Sequence, residues 1–344
     1  MRIALVCPYS WSVPGGVQAH VAGLARALRR LGHDVDVLAP ADSPVDGVVA
    51  LGRSVPIPSN GSVQRVALGP AAVSRTARAV RSGYDVVHLH EPMLPATCLT
   101  ALATARAPLV GTFHMFRQEL LWYRVFAPLV RAPARRLDAR VAVSAAARDY
   151  VARTLPGDYD VVPNGIDHPA FASLDARRDG TRILFVGRDE PRKGLAVLLE
   201  AFRRLRHPEA ELVLVGPSGR YGDRVHALGR VDDARLRKEL AAADVLCAPS
   251  LRGESFGLVL VEAMAAGVPV VASRIPGYDE VVPGDAGVLV PPGDPTALAD
   301  ALKQLLADAD LRARLGAGGR EASRRYDWSS VTREIVGIYE RVAR

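Results

Sequence analysis

A chain of 344 residues is long for one hydrophobic core and comfortable for two domains. Its 49% hydrophobic and 24% charged residues exclude a disordered chain, and no window of about 18 uncharged apolar residues offers a membrane span. The net charge of +7 invites an anionic partner, but only three of the 44 basic residues are lysines and no basic–aromatic alternation points to nucleic acid.

Taken in order, Arg2 to Cys7 is an apolar run of the parallel-strand kind, too short for the core of a signal peptide. After a turn from Pro8 to Gly16, residues Val17, Val21, Leu24, Ala25, Leu28 and Leu31 recur at helical spacing until Gly32. The strand Asp34–Ala39 completes a βαβ unit. Gly15-Gly16 lets backbone approach a ligand and feeds a helix N-terminus, a setting for phosphate. The turn is not G-x-G-x-x-G, so a nicotinamide dehydrogenase is not expected. Asp34-Val35-Asp36 matches a D-x-D metal motif in form only, because it lies inside a strand. Residues 56 to 65 read as a loop turning at Asn60-Gly61.

The next strand, Asp85 to His90, puts His88 and His90 on one face, but no third ligand is apparent nearby and no metal site is expected. Leu109 to Thr112 is a further strand, and His114 follows its carboxyl end, where parallel sheets bind ligands. From Arg117 to Arg140, apolar residues such as Leu120, Trp122, Phe126 and Leu129 alternate with six arginines. Such a helix suits an anionic membrane surface or a packed position with an arginine-rich solvent face. Arg75, Arg78 and Arg81 form a second basic run at helical spacing. A strand from Arg140 to Val143 precedes a helix capped by Ser144, and Pro163-Asn164-Gly165 closes the first half. The charged stretch Phe171 to Gly180 reads as the linker.

A second strand set follows at Arg182–Gly187, Glu211–Gly216, Asp244–Cys247 and Val268–Ala272. The expected fold class is α/β, with two Rossmann-like, doubly wound domains (1–170 and 171–328) facing a central cleft, and a terminal helix over 329–344. Arg188 and Lys193, in the turn after the first of these strands, can steady an anionic leaving group. The stretch from Pro249 to Gly267 places Glu254 in a glycine- and serine-bearing turn and Glu262 eight positions on. Its helix is apolar on nearly every face, so Glu262 is expected to be buried, costing several kcal/mol (order of magnitude) unless something bonds it. Both carboxylates are expected to accept hydrogen bonds from ligand hydroxyls. Cys7, Cys98 and Cys247 are scattered without C-x-x-C spacing, so free thiols and a cytoplasmic location are expected.

Glu254 and Glu262 in this setting resemble the E-x7-E signature of retaining glycosyltransferases of the GT-B fold. The blocks CPYSWSVPGGVQAH, VPIPSNGSVQR, GRDEPRKG and GESFGLVLVEAMAAG are most similar to the phosphatidyl-myo-inositol mannosyltransferases, and the likeness covers nearly the whole chain. It implies a retaining hexosyltransferase moving mannose from GDP-mannose to a phosphatidylinositol-type acceptor. Gly16 would contact the donor diphosphate through its backbone. Val231, Asp233, Glu254, Ser255, Phe256, Gly257 and Glu262 would bind the donor with Arg188 and Lys193. His114 would lie beside the anomeric carbon, and Tyr9, Gln18, Asn60 and Arg65 would line the acceptor pocket. The terminal helix would cross back onto the first domain. With Arg188 and Lys193 present, no divalent metal is required, and the expected partners are the nucleotide sugar and an anionic membrane surface at the inner face of the plasma membrane. The sequence departs from the family at Met115–Phe116, where small polar residues are usual. A transferase for a soluble acceptor such as inositol phosphate or a polysaccharide is the alternative, followed by a non-catalytic nucleotide-sugar binder.

Overall fold

The structure is a computed structural model that describes residues 1–59, 62–116, 131–174 and 180–344. The chain divides into two compact units, Met1–Gly165 with Trp328–Arg344, and Ile166–Asp327.

The first unit contains β1 (Arg2–Val6), α1 (Gly16–Arg30), β2 (Asp34–Ala39), β3 (Val48–Ala50), β4 (Ser54–Ser59), β5 (Ser62–Ala67), α2 (Pro70–Ala79), β6 (Val86–His90), α3 (Thr97–Thr104), β7 (Leu109–Phe113), β8 (Ala139–Ala142), α4 (Ala145–Ala152) and β9 (Asp160–Val161). Among the described residues seven of these strands form a parallel sheet in the order β3-β2-β1-β6-β7-β8-β9. Alternate residues of β1 serve opposite faces: Ile3 and Leu5 pack with α1, while Ala4 and Val6 pack with α3. That double burial explains why these strands read as unbroken apolar runs.

The second unit contains α5 (His168–Ala172), β10 (Arg182–Val186), α6 (Leu195–Arg204), β11 (Glu211–Val215), β12 (Val225–Gly229), α7 (Asp233–Ala242), β13 (Val245–Ala248), α8 (Leu258–Ala265), β14 (Val270–Ser273), β15 (Gly287–Val290), α9 (Pro295–Ala307) and α10 (Ala309–Ser323). Its parallel sheet runs β12-β11-β10-β13-β14-β15 among the described residues. The last helix, α11 (Trp328–Val342), belongs to the first unit. Trp328, Val331, Ile335, Ile338 and Tyr339 recur at helical spacing and share a core with Val21, Leu24 and Leu28 of α1.

Two sequence expectations change. The unit boundary falls after Gly165, not after residue 170, because Ile166 donates its N–H to Tyr326 O (2.8 Å) and pairs with Asp327, and Phe171 is core. Residues 175–179 of the expected linker lie outside the described residues. Residues 56–59 and 62–65 are not loop but paired antiparallel strands, β4 with β5, in register Pro56↔Arg65 and Ile57↔Gln64. Prolines at 56 and 58 hid the pairing, since proline donates nothing to a ladder and is tolerated only where its N–H side is unneeded.

The arginine-rich stretch is described only from Arg131 onward. There Arg131 donates to Thr154 O (2.8 Å), Arg136 to Leu102 O and Ala105 O, and Arg140 to Pro156 O (3.0 Å). These three arginines hold backbone carbonyls of their own unit. No helix among the described residues is long and apolar enough to cross a membrane, and the three cysteines are buried free thiols.

Candidate active site

In the second unit the site grows from one fact of strand order: β10 lies beside β13, so the loops leaving their carboxyl ends meet. Gly194, at φ 72°, closes the first loop so tightly that a Cβ there would stand 1.9 Å from Pro249 O. Leu251 N–H donates to Arg192 O at 2.7 Å, stitching the two loops together. Across this seam Glu254 Oε1 accepts from Arg192 Nη1 at 2.6 Å and pairs with Lys193 Nζ at 2.8 Å. Arg192 Nε pairs in turn with Glu190 Oε2 (2.8 Å), and Glu190 Oε1 with Arg188 Nη1 (3.1 Å). Charges therefore alternate along the loop, Arg188–Glu190–Arg192–Glu254–Lys193.

Two cations already hold one oxygen of Glu254, Oε1. Among the described residues nothing donates to Oε2, which leaves that oxygen for a ligand hydroxyl. Arg188 is 61% exposed, whereas Lys193 is 18% exposed and committed to Glu254.

Gly257 at φ 91° turns the Glu254 loop into α8, and a Cβ there would meet the Tyr278 ring at 2.7 Å. Tyr278 is fixed by its hydroxyl against Ser250 Oγ (3.1 Å). No side chain caps α8, so its first-turn N–H groups and the positive end of its dipole face the Ser255–Gly257 turn. Phe256 is a core residue, edge-on to Tyr326 at 5.3 Å, so only its backbone is available to a ligand. Glu262 is half-buried, not fully buried as expected. It shares the one less covered stripe of α8 with Leu258 and Val259, at the i, i+3, i+4 spacing. Among the described residues no hydrogen bond or ion pair reaches its carboxylate. Burial, reinforced by Asp233 and opposed by Arg237, pushes it up to about 7. Asp233 opens α7 behind the cap Asp232, and half-buried Val231 packs on the core beneath.

In the first unit the sequence-predicted acceptor residues converge on Ser10. Gln18 Nε2 donates to Ser10 O (3.1 Å) and Val13 O (3.0 Å), Ser10 N–H donates to Arg65 O (2.8 Å), and Tyr9 pairs with Val66. The Gln18 amide therefore pins the turn. The Arg65 fork is engaged as well: Nε donates to Ser54 Oγ (3.0 Å), and Nη2 to Ser54 O (3.1 Å) and Asp42 Oδ2 (3.4 Å). Donors on Ser54, with Arg65 beyond them, hold the Asp42 carboxyl below its usual value. Gly16 is exposed as the first residue of α1. Asn60 lies outside the described residues.

His114 is not alone beyond β7. Its Nε2 lies 3.0 Å from His90 Nδ1, its N–H donates to Glu91 Oε1 (2.6 Å), and its ring touches His20 edge-on at 4.9 Å. His88 stacks on His90 and bonds Tyr339 Oη and Thr112 Oγ1, each at 2.6 Å. Burial drives His20 down to about 4 and His88 to about 3, and His90 and His114 well below the usual histidine value, with the neighbouring rings adding to the last three. His20 and His114, arriving from other elements, bring one ring nitrogen each close to one of His90, a group to which His88 does not belong. Arg192, Glu190, Glu91 and His20 went unnoticed in the sequence. Only Arg192 and Glu190 left a signal there, as charges flanking Pro191.

Two α/β units, each with polar side chains at the carboxyl ends of parallel strands, are the build of a glycosyltransferase of the GT-B fold, and family models place the chain in that class. The model of Glycosyltransferase Family 4 matches residues 14–169, and that of Glycosyl transferases group 1 matches residues 169–322. The chain belongs to the family of the phosphatidyl-myo-inositol mannosyltransferases. It is 45% identical to that enzyme of Mycolicibacterium smegmatis, over 100% of this chain and 94% of the relative, and 44% identical to that of Mycobacterium leprae, over 100% and 97%. It is also 34% identical to the D-inositol 3-phosphate glycosyltransferase of Xylanimonas cellulosilytica, over 94% and 91%. Anabaena HepE in complex with UDP-glucose shares the fold at a TM-score of 0.80 and 21% identity, over 99% of this chain and 100% of that one.

Proposed function

We propose that this glycosyltransferase moves mannose from GDP-mannose to a phosphatidylinositol headgroup, with retention at the anomeric carbon. The observation that carries the reading is the full-length likeness to enzymes named for that acceptor and that sugar. As the bond from C1 to the phosphate oxygen breaks, the departing diphosphate gains negative charge. Exposed Arg188 and the Arg192–Lys193 pair lie where they can offset it, so no divalent metal is required. The α8 N-terminus suits the phosphates. Glu254 Oε2 takes a sugar hydroxyl, Glu262 a ribose hydroxyl, and the Val231–Asp233 turn the base.

The acceptor oxygen forms its bond to C1 on the face the phosphate leaves, and the leaving phosphate oxygen takes the acceptor proton. No protein nucleophile is needed. His114, held by His90 and Glu91, shapes the sugar side of the site. Tyr9, Gln18, Asn60 and Arg65 line the acceptor side. Arg65 exchanges its Ser54 and Asp42 partners for the acceptor phosphate. The enzyme works from the cytoplasm at the inner face of the plasma membrane, where exposed Arg75, Arg78 and Arg81 favour anionic lipid.

Incubating the purified chain with GDP-mannose or UDP-glucose, and with phosphatidylinositol vesicles or soluble inositol phosphate, separates the readings. Mannose on the lipid, α-linked by NMR, is expected. Turnover with inositol phosphate and none with the lipid would replace this reading by the soluble-acceptor one.

A further inference from the structure

We propose that His20, His90 and His114 form a three-nitrogen site for one divalent transition ion, Zn2+ by its geometry, inside the first unit. The three side chains come from α1, the carboxyl end of β6 and the residue after β7, and one ring nitrogen of each lies within 4.8 Å of the other two. His90 Nδ1 and His114 Nε2 are 3.0 Å apart, against roughly 3.3 Å for two nitrogens on one tetrahedral zinc. The ring centroids stand 4.9, 5.3 and 5.4 Å from one another, so the rings surround a point instead of stacking in a row.

Three observations set this group apart from ordinary packed histidines. First, His20 Nδ1 is buried without a hydrogen-bond partner, whereas buried polar atoms are nearly always paired. His88, beside the trio, shows the ordinary case: both its nitrogens are bonded, to Tyr339 and Thr112, and it offers no lone pair. Second, a counter-charge is in place. Glu91 is 1% exposed and reaches the His114 N–H, so a carboxylate already lies beside the trio to offset part of a buried dication. Third, the backbone is held in an unusual form there, Glu91 adopting φ 56°, a left-handed conformation that costs a non-glycine residue energy and concentrates at functional sites. Asn164 adds a side-chain hydrogen bond to His114. Three imidazoles in a small triangle leave a fourth tetrahedral position open.

The test uses the full-length protein, stripped of metal by chelation and titrated with Zn2+ in a calorimeter and with Co2+ by visible absorption. One ion per chain is expected, and X-ray absorption of the zinc-loaded wild type should show three imidazole nitrogens at about 2.0 Å. His20→Gln and His90→Gln should each weaken binding at least tenfold, while His226→Gln, at an exposed site in the other unit, should not. Circular dichroism checks that each variant folds, and if one does not, the wild-type absorption spectrum decides alone. Fewer than three imidazoles on the ion, no stoichiometric uptake, or unchanged affinity in both folded variants would overturn the proposal.

Discussion

Replacing Glu262 by glutamine removes a carboxyl whose folded-state value, about 7, stands well above its ordinary 4.5. The cause is burial first, then Asp233, with Arg237 opposing. Between those two values the folded chain binds the proton and the unfolded chain does not, so the native state loses stability as pH rises from about 4.5 to about 7. With 2.5 pH units between them at about 1.4 kcal/mol each, the loss from pH 5 to pH 8 is roughly 2 to 3 kcal/mol. Glutamine fills the same volume and carries no charge, so the Glu262→Gln protein should gain on wild type by that amount over this interval. Hydrogen exchange of the α8 backbone amides reads the difference, because intrinsic exchange rates cancel when the two proteins are compared at one pH. If a ribose hydroxyl donates to the ionised carboxylate, nucleotide-sugar binding at pH 7 should also release about half a proton, measurable by calorimetry in buffers of different ionisation enthalpy. A stability gap that does not change from pH 5 to pH 8 would refute the assigned environment of Glu262. A pH-dependent gap without proton release would refute only its ligand.

Arg192→Met leaves Lys193 as the sole cation on Glu254, and kcat/KM for sugar transfer should fall roughly tenfold to hundredfold with little change in folding, as steady-state kinetics and a thermal melt would show. Gly257→Ala puts a Cβ into the left-handed region and against the Tyr278 ring, which should cost the second unit about 2 to 4 kcal/mol in denaturant unfolding. Acid should unfold the first unit early. His20 and His88 are held neutral with values near 4 and 3, so below pH about 6.5 the unfolded chain takes up protons the folded one refuses, and stability drops by a few kcal/mol per ring by pH 4. Trp11 and Trp328 fluorescence follows that unit, both being in it. Tyr339→Phe leaves His88 Nδ1 buried without its partner and should destabilise the same unit by roughly 1 to 3 kcal/mol in urea.

The sequence by itself determined the alternation of buried strands and helices, because apolar runs such as Ile3–Val6 and Ile183–Val186 obey a local period that no partner is needed to read. It likewise determined that Glu254 sits in a turn feeding a helix, since Gly253 and Gly257 mark such turns wherever they fall. Tertiary structure alone decided what those side chains touch. Arg192 meets Glu254, 62 residues away in the chain, only because β13 was inserted beside β10, and pairing of that range carries no local signature. His20, His90 and His114 are unremarkable singly and become one group only when α1, β6 and β7 lie side by side. The pairing of 54–59 with 62–67 was hidden for the opposite reason: its prolines carry a strong local signal that cross-strand pairing overrides. Local periodicity reports how a segment hides its apolar face, whereas polar partnership depends on which strand ends the sheet order makes neighbours.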